Sequence, residues 1–288
     1  MSKRNLLNLL LLIIILALVA IVIFEPGKKQ AITPPSLTEL KSSEIDSIKI
    51  NRPNARWNNQ NIEFQKTSEG WQLIKPYQVS ANAFRIESIL KLLSAVSLSQ
   101  NNIANLDLKK FGLDKPFATI TFNNTTIIFG NNNSLKNHRY VRIGSNLHMI
   151  ADTFYYQITA KVESYIDHKL ISENSKITKL HLPNIELEQI NGKWSVTPKA
   201  DNLSADSVTQ LINEWQLSQA YDINKVNPES VSKADITVYL NNENSIRFKI
   251  KTTEDIFNLI NIDSGISYIL SKDRQNKLLN LSGIEQND

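Results

Sequence analysis

Two serine–lysine pairs have the S-x-x-K spacing at which a lysine can activate a serine nucleophile for acyl transfer. The pairs are Ser88 with Lys91 and Ser230 with Lys233. Enzymes of that type also carry S-D-N and K-T-G segments, and neither occurs in this sequence. The first pair lies on an amphipathic stretch, where both side chains are expected to face solvent. We therefore predict no catalytic residue and no enzymatic activity.

Histidine and carboxylate spacing indicates neither a metal site nor an acid–base pair. The sequence has no H-E-x-x-H motif and no i, i+4 histidine pair, which would place two imidazoles on one helical face. Its four isolated histidines are His138, His148, His168 and His181. Asp107, Asp114 and Asp167 are scattered, and acid–base catalysis needs a spatial pairing that their spacing does not indicate. The absence of cysteine excludes disulfides, thiolate zinc sites and cysteine nucleophiles.

Glycine is too sparse for a nucleotide-binding loop. The 288 residues include eight glycines, and none are spaced as in G-x-G-x-x-G or a Walker loop, where the backbone must approach phosphate. A G-x-S-x-G nucleophile turn is also absent. We predict no nucleotide partner and no cofactor.

One long apolar run predicts a membrane anchor. Leu6 to Phe24 is apolar except for Asn8, and about 20 apolar residues cross a bilayer as a helix. The run exceeds the ~7–15 apolar residues of a cleaved signal peptide, and no small-x-small cleavage site follows it. Lys3 and Arg4 precede the run, which favours a cytoplasmic N-terminus. The sequence predicts a single-pass protein of the bacterial inner membrane, embedded in the lipid bilayer, with its bulk in the periplasm.

The positive net charge comes mostly from the flanks of this run. The chain has 32 Lys and Arg residues against 28 Asp and Glu residues. Lys3, Arg4, Lys28 and Lys29 flank the run, with Glu25 as the one acid, so the rest of the chain holds 28 basic and 27 acidic residues. A nucleic-acid-binding protein normally carries a basic face. We therefore predict no nucleic-acid partner.

The remainder of the chain contains two copies of a weak repeat. Alternating apolar residues, a hairpin that ends in a Trp-containing strand and a proline, and an Asn-Asn turn recur in the same order. The matching segments are 45–50 with 177–182, 62–76 with 185–198, 117–124 with 235–242, and 140–150 with 259–269. Behind a tail at 1–5 and the anchor at 6–24, we predict a stem at 25–43, a first unit at 44–164 and a second at 165–288.

Each copy also contains one amphipathic helix, with apolar residues at i, i+3, i+4 and i+7. They are Ile86, Ile89, Leu90 and Leu93 in a helix over 86–96, and Val208, Leu211, Ile212 and Trp215 in the second copy. Asn82 and Ser204 are the predicted N-caps, because their side chains can accept hydrogen bonds from the first turn. The predicted fold is α+β, a tandem β-β-β-α-β-β-β-β unit with a helix on a mainly antiparallel sheet. A short helix over 153–164 should link the copies.

Four tryptophans could supply flat aromatic faces for a glycan or peptide. Trp71 and Trp194 occupy equivalent strand positions, and Trp215 lies on the apolar stripe of its helix, so all three are expected in the core. Trp57 lies in an Asn-rich region that only the first copy has. It is the predicted exposed contact.

A group of residues around a turn at 111–116 carries a family resemblance. It comprises Trp71, Pro76, Gly112, Leu113, Asp114 and Pro116, followed by the pairs Phe129-Gly130 and Tyr140-Val141. With the N-terminal anchor, this pattern resembles the bacterial domain-of-unknown-function family 4340 (DUF4340) across nearly the whole chain. The turn has a structural explanation, since Gly112 can adopt positive φ and Pro116 constrains the chain that enters the next strand. The second copy lacks this pattern at 231–234.

The resemblance implies no established activity, although some relatives look like accessory components near ABC-type export or gliding-motility systems. The favoured hypothesis is a non-catalytic scaffold or accessory subunit of an envelope complex, whose protein partner docks at exposed strand edges or at the Trp57 hairpin. A periplasmic module that binds glycan or peptide is one alternative. An enzyme whose site forms only in three dimensions is the other.

Overall fold

The computed structural model describes residues 3–24, 35–53, 60–133, 137–199, 204–227 and 235–281. The chain divides into two compact units, Met1–Pro35 and Ser36–Asp288. The first contains helix α1, Lys3–Phe24, which includes the predicted span from Leu6 to Phe24. Within the described ranges, α1 is the one helix long and apolar enough to cross a membrane, and it fits a single-pass anchor or a signal sequence.

The second unit contains two antiparallel sheets. The nine strands of the first are β1 Ser47–Asn51, β2 Asn61–Thr67, β3 Gly70–Lys75, β4 Val79–Ser80, β5 Ser99–Asn102, β6 Ala118–Phe122, β7 Thr125–Asn133, β8 His138–Ile143 and β9 Asn146–Ala151. Their order across the sheet is β4-β3-β2-β1-β6-β7-β8-β9-β5. Alternation sets the buried face, as in β6, where Ala118, Ile120 and Phe122 are buried and the residues between them are not.

The second sheet has the same strand order, without a counterpart of β4 among the described residues. Its strands are β10 Ile177–His181, β11 Glu186–Ile190, β12 Lys193–Thr197, β13 Asp222–Lys225, β14 Ile236–Leu240, β15 Ser245–Thr252, β16 Ile256–Asn261 and β17 Ile266–Ser271. They follow one another as β12-β11-β10-β14-β15-β16-β17-β13. The α+β class with mainly antiparallel sheets is confirmed, and the matching order supports the predicted repeat.

The predicted unit is wrong at the sheet edges, because it omits one strand after the helix in each copy and the short β4. Strand β5 reads Ser-Gln-Asn-Asn, and β13 has one apolar residue, Ile223, so neither shows the alternation that predicts a strand. Both lie at an edge, β5 beside β9 and β13 beside β17. Pairing with a neighbour, rather than their own composition, makes them strands.

Both predicted helix caps are confirmed. Helix α2, Ala83–Leu90, begins after Asn82, whose Oδ1 accepts from Arg85 N at 3.1 Å. It continues as a 3-10 helix over Lys91–Ser94, so it ends before the predicted 96. The second-copy helix, Ala205–Leu217, begins after Ser204, whose Oγ accepts from Ser207 N at 3.1 Å. The apolar stripes of both helices face the core, including Ile86, Ile89, Leu90 and Leu93 in the first and Val208, Leu211 and Trp215 in the second.

The predicted linking helix over 153–164 is broken in two. Helix α3 covers Tyr155–Thr159, a 3-10 helix covers Val162–Tyr165, and Ala160 between them is extended. The buried Arg52 holds this break, because its Nη1 donates to Ile158 O at 3.1 Å and to Ala160 O at 2.6 Å. Burial lowers the pKa of Arg52. The second-copy helix is therefore α4, and a final helix, α5, covers Asp273–Leu279.

The predicted stem is too long at its C-terminal end. Residues 25–34 lie outside the described residues, but the chain already packs against the second unit at Leu37, which is buried. Leu37 N donates to Ala95 O at 2.7 Å, and Thr38 N donates to Leu93 O at 3.1 Å. Because this segment buries a side chain and donates backbone hydrogen bonds to the second unit, residues 36–43 belong to that unit.

A buried segment between the repeats, residues 165–171, pairs with both of them, and we call it the connector. On the first repeat, Asn82 N donates to Tyr165 O at 2.7 Å and Asp167 N donates to Ser80 O at 2.8 Å. On the second, Ala220 N donates to His168 O at 2.8 Å and Leu170 N donates to Ser218 O at 3.1 Å. One apolar core includes the connector residues Tyr165, Ile166, Leu170 and Ile171 together with side chains of both sheets. The two repeats are thus separate sheets in a single packed unit.

Removing a core side chain from the connector should destabilise both repeats together. Ile166 is fully buried, so Ile166→Ala should lower the free energy of unfolding by about 2–5 kcal/mol. Urea unfolding of the full chain in detergent should still show one transition, coincident by far-UV circular dichroism and tryptophan fluorescence. Ile190→Ala, at a site 53% exposed on β11, is the control and should change stability by under about 0.5 kcal/mol. Two separate transitions in the parent chain would contradict a shared core.

Candidate functional site

The turn at 111–116 packs directly onto strand β7. A 3-10 helix over Leu108–Phe111 ends at Gly112, which has φ +67°. A Cβ at Gly112 would lie 2.2 Å from Asn131 Oδ1, and a Cβ at Gly130 would lie 2.2 Å from Phe111 O. The two glycines therefore let the turn and the strand approach more closely than any other residue type allows.

The other residues of the turn support this packing or face solvent. Leu113 is buried, and its N–H donates to Leu108 O at 3.1 Å. Asp114 is exposed and Pro116 is half-buried. These positions fit the structural explanation of the turn.

A buried ion pair lies beside the same part of β7. Arg139 Nε and Nη2 donate to the two carboxylate oxygens of Asp152 at 2.6 and 2.7 Å, and Nη1 donates to Gly130 O at 2.7 Å. The guanidinium also stacks over the Phe117 ring, 4.4 Å from its centroid. The register of β7 against β8 shifts between Phe129 and Asn132, which indicates a bulge. Because the donors of Arg139 are largely used within the protein, this pair holds that bulge.

The described tryptophans serve the fold. Trp215 is fully buried, and its Nε1 donates to Leu278 O at 2.8 Å. Trp71 and Trp194 are half-buried and pack against the core, at equivalent positions of β3 and β12. Pro76, which follows β3 through a cis bond, is exposed. Trp57 lies outside the described residues.

A cleft of about 730 Å³ opens between the two repeats. Its first wall is the start of α2 and the segment before it, with Tyr77, Asn82 and Arg85. The second wall is the segment around the connector, with Lys161, Glu163, Ser164 and His168, and the third is β13, Asp222–Lys225. We call this space the inter-repeat cleft. Its volume lies within the ~300–1,000 Å³ range of ligand pockets in proteins.

Several lining groups of the inter-repeat cleft are held by neighbours. Tyr77 Oη donates to Glu163 Oε1 at 3.2 Å. Burial, with the nearby Glu163 carboxylate, raises the pKa of Tyr77 to about 12, so the phenol stays a neutral donor. His168 Nδ1 lies 3.0 Å from Ala220 O, which fixes Nδ1 as the donor, and Asp222 Oδ1 accepts from Ile223 N at 2.8 Å.

A protein-family model described as "Domain of unknown function (DUF4340)" matches residues 71–254. The chain belongs to the DUF4340 family. Comparisons with curated proteins and with solved structures give no match. The DUF4340 match begins at Trp71, includes the 111–116 turn and extends past β13, so the whole lining of the inter-repeat cleft lies within the family region.

The described serine–lysine pair, Ser88 and Lys91, does not form a nucleophile site in this DUF4340 chain. Ser88 is buried, not solvent-facing as predicted, because its Oγ turns back along α2 and donates to Phe84 O at 2.8 Å. Lys91 is exposed at the end of the helix. Ser230 and Lys233 lie outside the described residues.

The histidines and aspartates that the sequence singled out are dispersed in the DUF4340 fold. His148 is buried with Nδ1 3.0 Å from Ser97 Oγ, and burial lowers its pKa, whereas His181 is exposed on β10. Asp107 caps the 3-10 helix before Gly112 by accepting from Lys109 N. In the described part of the chain, no three His, Asp or Glu side chains are placed to hold a metal ion.

Sequence spacing missed the inter-repeat cleft as a site. The sequence predicted Asn82 as a helix cap and showed His168 as an isolated histidine. It gave no indication of a role for Arg85 or Lys225. The cleft residues come from three segments that are far apart in the chain. A charged residue in the first turn of α2 was the one local signal that could have pointed there.

The close approach of the 111–116 turn to Gly130 should be essential for the stability of the DUF4340 fold. We expect Gly130→Ala to lower the free energy of unfolding by about 3 kcal/mol, because the new Cβ meets a backbone oxygen that cannot move aside. Gly144→Ala is the control, since its site has φ +53° but nothing within 4 Å. It should cost about 1 kcal/mol, the backbone strain alone. Urea unfolding measures both, and equal losses would contradict a steric role for Gly130.

Proposed function

We propose that this chain is a single-pass envelope protein whose two-repeat unit is a non-catalytic accessory subunit, which binds a protein partner in the inter-repeat cleft. The observation that carries this proposal is the construction of the cleft, whose walls come from both repeats and from the segment between them. Backbone hydrogen bonds on both sides of the connector hold these walls in place. A preformed cleft binds without a large ordering cost.

The proposed location in the inner membrane rests on α1 and its flanks. The helix is apolar from Leu6 to Phe24 except for Asn8, and Lys3 and Arg4 precede this run. This arrangement favours retention of the first residues in the cytoplasm and export of the rest. An accessory subunit of this kind would stay tethered to the membrane by α1.

The absence of cysteine allows a direct test of this topology. A single cysteine at the exposed Asn124, on the β6–β7 turn, should react with a membrane-impermeant maleimide added to cells with a permeabilised outer membrane. Ser2→Cys should react only after the inner membrane is disrupted. Labelling of Ser2→Cys alone in intact inner membranes would reverse the orientation. Recovery of Asn124→Cys in the soluble fraction would indicate a cleaved signal sequence instead.

Site-specific photo-crosslinking in cells tests the partner. A benzoylphenylalanine at Asn224, an exposed residue of the cleft wall, should give a discrete higher-mass adduct with one protein at native expression. The same residue at Asn124 is the matched control, because Asn124 is exposed but does not line the cleft. Mass spectrometry would identify the captured protein. No adduct from Asn224, or equal adducts from both positions, would refute docking in the cleft.

A further inference from the structure

Arg85 lies near the N-terminus of α2, where the helix dipole disfavours a cation. It is the third residue of α2, where the helix dipole presents partial positive charge, and the first turn of α2 contains no acidic residue. The second-copy helix has Asp206 in its first turn, and Ser207 occupies the position equivalent to Arg85. The side chain of Arg85 is half-buried in the wall of the inter-repeat cleft. Among the described residues, no carboxylate forms an ion pair with it.

Strand β13 supplies a second cation to the lining. Lys225 lies on β13, and its Nζ is 5.4 Å from the centroid of the Tyr77 ring. No described carboxylate pairs with Lys225 either. The two acids of the lining are already acceptors, Glu163 from the Tyr77 hydroxyl and Asp222 from the Ile223 amide. The cleft therefore offers cationic groups from two separate segments, in a unit whose overall charge is close to zero.

We propose that the inter-repeat cleft recognises an acidic, extended peptide segment, with Arg85 and Lys225 binding its carboxylates. This inference rests on the proposed function and names the chemistry of the partner. A guanidinium binds a carboxylate through two parallel hydrogen bonds, and such charge-assisted bonds are about twice as strong as neutral ones. Binding of a carboxylate would also offset the unfavourable position of Arg85 in α2.

The distribution of polar groups favours a peptide over a phosphate ligand. A phosphate offers mainly acceptor oxygens, whereas the lining presents two carboxylates as well as cations. It also includes Asn82, Ser164 and Asn224, whose amide and hydroxyl groups match peptide N–H and C=O groups. Glu163 and Asp222 can accept from the N–H groups of a peptide, which a phosphate lacks. Acidic side chains separated by peptide groups fit this lining.

Fluorescence anisotropy with the full chain in neutral detergent tests the proposal. A fluorescein-labelled tetraglutamate peptide should bind, with an affinity that falls as salt is added, whereas tetraglutamine and tetralysine peptides should not. Arg85→Gln and Lys225→Gln should each weaken tetraglutamate binding about tenfold. Arg85→Lys should lose less than Arg85→Gln, because it keeps the charge but not the paired hydrogen bonds. Lys110→Gln, which removes the same charge from an exposed site outside the cleft, is the matched control.

Two outcomes of this experiment would overturn the acidic-peptide proposal. Equal weakening by Lys225→Gln and Lys110→Gln would overturn the proposal, since binding would then follow net charge alone. Pyrophosphate binding without tetraglutamate binding would also overturn it. Circular dichroism and tryptophan fluorescence confirm that each variant is folded, and Lys225→Gln, at an exposed site, should fold normally. If Asn224 captures a partner but tetraglutamate does not bind, the acidic-peptide inference fails and the accessory-subunit proposal stands. If tetraglutamate binds but Asn224 captures no protein, the accessory-subunit proposal fails and the cleft still binds acidic peptides.

Discussion

The connector is the constraint on which the rest of the second unit depends. Its side chains Tyr165, Ile166, Leu170 and Ile171 are buried, and the residues between them, 167–169, are half-buried. An unpaired buried peptide group costs about 1–3 kcal/mol, and the connector avoids that cost by pairing with Ser80 and Asn82 on one repeat and with Ser218 and Ala220 on the other. The same bonds therefore satisfy the buried backbone and set the position of one sheet relative to the other.

Three arginines differ in whether their side chains find acceptors within the protein. Arg139 is fully enclosed by Asp152, Gly130 O and the Phe117 ring, and Arg52 donates to carbonyls at the end of α3. Removing either would leave buried acceptors without their cation, which is a stability effect. Arg85 is half-buried in an open cleft and lies at the wrong end of a helix for its charge. No described carboxylate pairs with it, so its charge is available to the acidic peptide that we propose.

The two repeats share a strand order but differ in local sequence. The turn at 111–116 exists in the first repeat because Gly112 and Gly130 permit a close approach of two backbones, and the second copy lacks that sequence. The cleft is asymmetric as well, since α2 supplies Arg85 whereas the equivalent position in α4 is Ser207. The DUF4340 match over residues 71–254 includes strands of both sheets.

Local chemistry in the sequence determined the apolar helix α1, the caps Asn82 and Ser204, and the alternating strands such as β6 and β14. These features depend on neighbours within a few residues, so spacing alone reveals them. Only the tertiary structure decided the polar edge strands β5 and β13, the break at Ala160 and the burial of Leu37, because distant partners supply their hydrogen bonds and contacts. The inter-repeat cleft belongs to the second group. Arg85 and Lys225 are 140 positions apart in the chain, and they face one cleft only because the connector holds the repeats together.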